Sequence, residues 1–171
     1  MESQDLRAFC GLPPADWMSA SDGLVDNREY VDMRDWNDIE SFEEMWEFEK
    51  KALRYRGDLD SDEAMERFEE EEFYWVGLDP LIGSTVFALV LAGAVPFSSC
   101  CGRPGHAETE PLVAFWCPED ILPRIERAAS KTGACLRGTG GEHPGIVVHH
   151  ESDIAVLRRF ARALVRSLPQ D

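Results

Sequence analysis

The densest group of chemically capable side chains lies in residues 97–106, which read FSSCCGRPGH. Hydroxyls, thiols, a guanidinium and an imidazole follow one another where an apolar strand is expected to give way to a loop. Such a loop brings polar groups out of the core while the strand holds them in place, an arrangement common in ligand sites. We therefore predict that this loop lines the main concavity of the domain. The candidate ligand-binding residues are Ser98, Ser99, Cys100, Arg103 and His106.

The thiols and imidazoles could in principle hold a metal ion, but their spacing does not favour one. Structural zinc sites usually draw on two closely spaced pairs of Cys or His ligands. Cys100 and Cys101 are instead adjacent, and adjacent side chains of a strand point to opposite faces. We therefore predict no metal site.

A nucleophilic cysteine is another interpretation of the same segment. Cys101 could pair with His106 or His150, and Glu142 or Asp153 could orient the imidazole. Several such combinations are open, because the sequence does not show which of these side chains meet.

The remaining thiols and a glycine-rich segment have simpler interpretations. Cys117 precedes a predicted helix, whose free N–H groups could lower the pKa of its thiol. We favour the interpretation that Cys100, Cys117 and Cys135 are small buried apolar side chains. Residues 138–141, GTGG, lack the Lys-Ser/Thr of a phosphate-binding loop, so we predict a hairpin connection there.

Residues 98–103, SSCCGR, follow a helix that begins at the Asp-Pro pair of residues 79–80. This combination resembles the tRNA wybutosine-synthesis methyltransferases, which carry Ser-Ser-Cys-Ser-Gly-Arg after an equivalent helix. It is also similar to small bacterial proteins with a Ser-Cys-x-Gly-His motif in this position. The resemblance covers about Asp79 to His150, and Cys101 stands where the methyltransferases have serine. The resemblance implies S-adenosylmethionine or an RNA substrate near Ser98, Ser99, Cys100 and Arg103.

The elements that must position these residues are clearest in the second half of the chain. Asp79 and Pro80 can start a helix, and residues 81–92 are apolar almost all round, which predicts a buried helix. The order that follows is strand, strand, helix, strand, strand, helix. It predicts an α+β fold with a small mixed β-sheet covered by helices. The expected ranges are about 95–99, 112–116, 118–132, 134–137, 146–149 and 154–168.

The first half is predicted to be an acidic, partly helical N-terminal extension over residues 1–76, with the α+β domain over residues 77–171. Ser41 and Glu44 fit a capping box for a helix over about 42–56. A second helix is expected over about 64–76. Residues 1–40 carry several aromatic and methionine side chains, so we expect an irregular arm that packs on another surface.

The formal net charge is −16, and nearly all of it belongs to the first half. Residues 1–77 hold 23 acidic and 8 basic side chains, whereas residues 78–171 hold 10 and 9. Such a field repels nucleic acid and attracts a basic protein surface. The candidate partner-binding residues are Trp36, Trp46, Glu69, Glu70, Glu71 and Glu72. Alternatively, the acidic half could neutralise the arginine row of the last helix, Arg158, Arg159, Arg162 and Arg166.

The composition of the chain bears on whether the protein is folded, membrane-spanning or secreted. Apolar residues make up 44% of the chain, enough for a packed core. No apolar stretch reaches the roughly 18 residues of a membrane span, and the N-terminus does not read as a signal peptide. Five cysteines, an odd number, suggest reduced thiols rather than a disulfide framework. We therefore expect a cytoplasmic protein without membrane contact.

These features together lead to two predicted functions. The first is an acidic cytoplasmic protein that binds or inhibits a basic protein partner, in the manner of an immunity protein or antitoxin, without enzymatic activity or cofactor. The alternative is a small-ligand enzyme, an S-adenosylmethionine-dependent methyltransferase, with its site in the loop from Ser98 to His106. The charge distribution and the lack of a complete catalytic constellation favour the first.

Overall fold

The computed structural model describes residues 4–14, 28, 41–52, 78–79, 81–102, 108–140 and 144–169. A short 3₁₀ helix spans Leu6–Phe9. The α-helices are α1 (Phe42–Ala52), α2 (Gly83–Leu91), α3 (Leu122–Thr132) and α4 (Ile154–Val165). The strands are β1 (Val95–Cys101), β2 (Pro111–Trp116), β3 (Cys135–Gly138) and β4 (Ile146–His149). Over these ranges, none of the helices has the length and apolar character needed to cross a bilayer.

The four strands form one sheet in the order β1-β2-β4-β3, and each neighbouring pair is antiparallel. The predicted α+β class is confirmed. The sheet is antiparallel rather than mixed, for a topological reason. The two strands connected by α3, β2 and β3, run in the same direction, but β4 lies between them and pairs antiparallel with both.

One face of the sheet and the helices α2, α3 and α4 enclose the main core. Val113 and Phe115 of β2 lie opposite Leu157 and Phe160 of α4, and all four are fully buried. Helix α2 packs against α1, α4 and β1, which confirms the burial that its apolar circumference predicted.

Helix α2 begins later than predicted. Leu81 adopts a positive φ of 69° and so lies outside the helix, which starts at Gly83. The N-cap residue of α2 is Ile82 rather than Asp79, and Asp79 Oδ2 accepts a hydrogen bond of 2.9 Å from the backbone N–H of Cys101. Asp79 therefore ties the start of α2 to the end of β1.

Helix α1 is part of the same core. The Ser41 half of its capping box is confirmed, since the Glu44 N–H donates to Ser41 Oγ at 3.3 Å, and the Glu44 carboxylate accepts from the Ser41 hydroxyl at 3.1 Å. Phe42 and Met45 are buried among the core side chains. The predicted boundary between residues 76 and 77, the C-terminal end predicted for α1 and the second acidic helix all lie outside the described residues.

Two arginines of α4 form ion pairs with acidic side chains of α1. Arg158 Nε donates to Glu49 Oε2 at 3.1 Å, and both side chains are buried, at 6% and 2% exposure. Arg162 bonds Glu43 at 2.6 Å nearer the surface. The interpretation that the arginine row neutralises acidic residues of the same chain is confirmed for these two pairs.

The N-terminal residues 4–14 pack onto the domain, as expected of the arm. The Gly11 N–H donates to the Cys117 carbonyl at 2.9 Å, and Leu6 is buried in the main core. At the edge of the sheet, Gln4 Oε1 accepts a bond of 3.0 Å from the Gly138 N–H. This contact occupies a backbone donor that an edge strand would otherwise expose.

The glycine of the SSCCGR segment has a structural explanation. Gly102 has φ of 71°, and a Cβ there would lie 2.5 Å from the backbone nitrogen of Pro111. The chain can therefore pass from β1 towards β2 at this point only with glycine.

Candidate functional site

The face of the sheet opposite the main core, here called the second face, carries its own apolar cluster. Phe97 and Trp116 stack with ring centroids 3.9 Å apart, and Trp116 Nε1 donates to the Pro144 carbonyl at 3.0 Å. The period of two along each strand divides the side chains between the two faces. The buried residues of the second face are Val95, Phe97, Cys100, Leu112, Ala114, Trp116 and Val147.

A cavity of about 550 Å³ opens on the second face, a size within the usual range of small-molecule sites. Its apolar lining comes from Phe97, Leu112, Ala114 and Val147. Its polar lining comes from Ser98, Glu108, Arg137 and residues 138–140. The cavity therefore offers an apolar surface with one cationic and one acidic group beside it.

Three ionisable side chains lie next to one another on this face. His149 Nδ1 is 3.0 Å from Glu110 Oε2, and an Arg137 guanidinium nitrogen is 3.9 Å from the same oxygen. Burial lowers the pKa of His149 and the charge of Arg137 lowers it further, whereas Glu110 opposes the shift. Burial therefore favours the neutral form of the His149 imidazole.

The predicted ligand-binding residues do not all meet. Ser98 is exposed and lines the cavity. Cys100 lies on the same face but is buried, accepts from the Gly102 N–H at 3.4 Å, and has its pKa raised by burial. Ser99 pairs with Val113, a residue of the main core, and so faces the helices. Arg103 and His106 lie outside the described residues.

The predicted partner-binding residues are described only at Trp46. Its ring is half-buried and lies beneath two guanidinium groups, 4.2 Å from Arg158 and 5.0 Å from Arg162. These cation–π contacts hold the ring within the interface between α1 and α4. Trp36 and residues 69–72 lie outside the described residues.

The nucleophilic arrangements considered from the sequence are not formed by the described residues. Cys101 is buried in the main core. His150 Nδ1 accepts from the Asp153 N–H at 3.0 Å, and Asp153 caps α4 by accepting from the Ala155 N–H. His106 and Glu142 lie outside the described residues. The pKa of Cys117 is raised, not lowered, because burial outweighs any effect of the helix that follows.

The glycine-rich segment and the cysteines were also interpreted from the sequence. The glycine-rich residues begin a β3–β4 hairpin, in which the Thr139 N–H donates to the Gly145 carbonyl at 2.8 Å. Cys100 and Cys117 are buried as expected, whereas Cys135 is exposed because β3 is an edge strand. Across the described ranges, no three Asp, Glu, His or Cys side chains are placed to share a metal ion.

The sequence reasoning missed Glu110, Arg137 and His149 as site residues. A signal was available for Arg137, which follows Leu136 in a predicted strand and so faces the opposite side of the sheet, whereas His149 ends a continuous apolar run. Their approach to Glu110 depends on β4 pairing with both β2 and β3. Comparisons with protein-family models, curated proteins and solved structures found no match for this chain.

Proposed function

We propose that the protein binds a small amphipathic molecule with one anionic group in the cavity of the second face. The observation that carries the proposal is the pairing of an apolar lining with the Arg137 guanidinium. An aromatic or acyl body would lie against Phe97, Leu112 and Val147, and its anionic group would lie beside Arg137. A guanidinium can bind a carboxylate, phosphate or sulfonate through two parallel hydrogen bonds.

Arg137 has the freedom that such a role needs. Its side chain is half-exposed, and its contact with Glu110 is long at 3.9 Å. An ion pair of this kind contributes little and can yield to a ligand. Glu108 also lines the cavity and would accept a hydrogen bond from a hydroxyl or ammonium group of the ligand. Its carboxylate would repel a second anionic group on the ligand.

A pair of dyes tests the proposal because they share a ring system and differ in charge. Anilinonaphthalene sulfonate is anionic, and phenylnaphthylamine is its neutral analogue. We expect Arg137→Gln to weaken sulfonate binding about tenfold and to leave binding of the neutral dye unchanged. Ser98→Phe, which places a ring in the cavity, should weaken both. Fluorescence titration gives the dissociation constants.

The matched control is Arg127→Gln, which removes the same charge from the exposed surface of α3. Thermal melting of each variant ensures that the dyes report on folded protein. Equal sulfonate affinity in Arg137→Gln and Arg127→Gln would refute the proposed anion contact. S-adenosylmethionine, titrated in parallel, tests the ligand implied by the methyltransferase resemblance.

A basic protein partner is a second candidate function, favoured by the excess of 33 acidic over 17 basic side chains. The role would be that of an immunity, antitoxin or inhibitor protein. The described pairs of α1 show that part of the acidic charge is used within the chain. The partner contact is therefore proposed for Trp36 and the run Glu69–Glu72 rather than for α1.

This second candidate predicts a strong effect of salt. With a purified partner, the association rate should fall steeply from low to high ionic strength, because long-range attraction is screened. Replacing all four residues of the run Glu69–Glu72 by Gln should slow association at low salt. A rate insensitive to both changes would exclude this mode of recognition.

A further inference from the structure

The β3–β4 hairpin places an exposed thiol directly across from His149. Cys135 and His149 are partners in the antiparallel register, and directly opposed residues have Cβ atoms roughly 4.5–5.5 Å apart. Their neighbours Leu136 and Val148 pack on the main core, so Cys135 and His149 share the second face. Since Cys135 is exposed, small molecules can reach its thiol.

Glu110 lies next to the imidazole of His149. Glu110 Oε2 lies 3.0 Å from His149 Nδ1, an ion-pair distance. Both atoms are buried, and neither forms a hydrogen bond with a described residue. Nε2 is the second nitrogen of the ring. The charged or titratable neighbours of His149 are Glu110 from the β1–β2 connection, Arg137 from β3 and His150 from the end of β4. An imidazole beside a carboxylate is an arrangement that general bases use next to a nucleophile.

We propose that Cys135 is a nucleophilic thiol, with His149 as its proton acceptor and Glu110 as a positioning residue, and that it reacts with an ester or thioester of an acyl ligand. The choice of ligand rests on the proposed function. The anionic group of the ligand would lie beside Arg137, and a separate ester or thioester carbonyl would lie near Cys135, two residues along the same strand face. The residues that line the cavity include Arg137 but not Cys135. The ligand would therefore extend past Arg137 to bring its activated carbonyl to the thiol.

The proposed reaction needs only the thiol, His149, the acyl ligand and water. His149 takes the thiol proton as the sulfur bonds to the carbonyl carbon. The bond from that carbon to the alcohol or thiol leaving group breaks, and the leaving group takes the proton from His149. Water then cleaves the acyl-cysteine thioester, which releases a carboxylic acid and restores the thiol.

Among the other cysteines, Cys100, Cys101 and Cys117 are buried, and Cys10 is half-buried. The experiment is therefore alkylation of the full-length folded protein by iodoacetamide, with the modified peptide located by mass spectrometry. We expect Cys135 to react first. His149→Gln should slow this reaction about tenfold near neutral pH, less than the usual general-base contribution, because an exposed thiol also ionises without assistance. Glu110→Gln should slow it less.

The pH profile separates assistance from mere exposure. The wild-type rate should show a step below neutral pH, where His149 titrates, and the step should be absent from His149→Gln. His150→Gln is the matched control, since His150 accepts from the Asp153 N–H rather than facing Cys135 in the hairpin register. It should keep the step and move it to higher pH, because His150 lowers the pKa of His149. Equal rates in the wild type and His149→Gln, without the step, would overturn the proposal and leave Cys135 an ordinary exposed thiol.

Acyl transfer has its own readout. Nitrophenyl butyrate should release one equivalent of nitrophenol in a burst and add a butyryl mass to the Cys135 peptide, and Cys135→Ser should abolish both. No burst from a protein whose thiol is activated would refute the acyl chemistry. Iodoacetamide does not need the cavity, so failure of dye binding and failure of thiol activation are separate results.

Discussion

Replacing Arg158 by Met should lower the free energy of unfolding by about 3–5 kcal/mol, the usual cost of breaking a buried ion pair. Arg158 is bonded to Glu49 at 3.1 Å and to the Trp46 carbonyl at 2.8 Å. Its removal would leave the Glu49 carboxylate buried, with the Ser84 N–H at 2.9 Å as its remaining described donor. The large cost comes from this uncompensated charge rather than from lost packing alone.

Arg159→Met is the matched control for this prediction. Arg159 is the next residue of α4, has a side chain 54% exposed, and contacts Asp153 only at 3.9 Å. Its replacement should change stability by no more than about 0.5 kcal/mol. Urea unfolding of both variants gives the comparison. Similar losses of unfolding free energy in Arg158→Met and Arg159→Met would mean that the Arg158–Glu49 pair does not stabilise the packing of α1 on α4.

The double variant Glu49→Leu with Arg158→Met sharpens the interpretation. An apolar pair of similar size removes the unpaired charge, so most of the stability lost in Arg158→Met should return. A double variant as unstable as the single one would show that the other bonds of Arg158 dominate, in particular the one to the Trp46 carbonyl.

Phe87→Ala is expected to cost about 3–5 kcal/mol, because the cavity left by the ring cannot fully collapse. Phe87 is 3% exposed in the middle of α2, and α2 is packed between α1, α4 and β1. Leu91→Ala on the same helix is the control, since Leu91 is 48% exposed. Its effect should be much smaller. A thermal shift of the same size for both variants would contradict the buried position of α2.

Local sequence patterns were sufficient to predict most of the helices and strands. The apolar circumference of residues 81–92 predicted a buried helix, and Ser41 with Glu44 marked the start of α1. The predicted strands lie close to their observed positions. These predictions succeeded because periodicity and capping depend on residues within a few positions of one another. Asp79 deviates because a tertiary contact with β1 provides its partner, and the positive φ of Leu81 places that residue outside the helix.

The candidate site depends on contacts distant in the chain. Glu110, Cys135 and His149 are brought together only because β4 lies between β2 and β3, an order that hydrophobic alternation does not specify. Ser99 and Cys100 are adjacent in sequence yet face opposite sides of the sheet. Strand pairing therefore selected a different set of residues from the one that sequence proximity suggested.

The acidic first half also has properties determined by the sequence and others determined by the tertiary structure. The sequence by itself determined the charge of −16 and its concentration before residue 78, because charge is a sum over residues and needs no fold. Only the tertiary structure decided that Glu49 would be buried against Arg158, 109 positions away. Burial of a carboxylate requires a cation and an N–H donor at the same place, and only the packing of α1 against α2 and α4 brings them there.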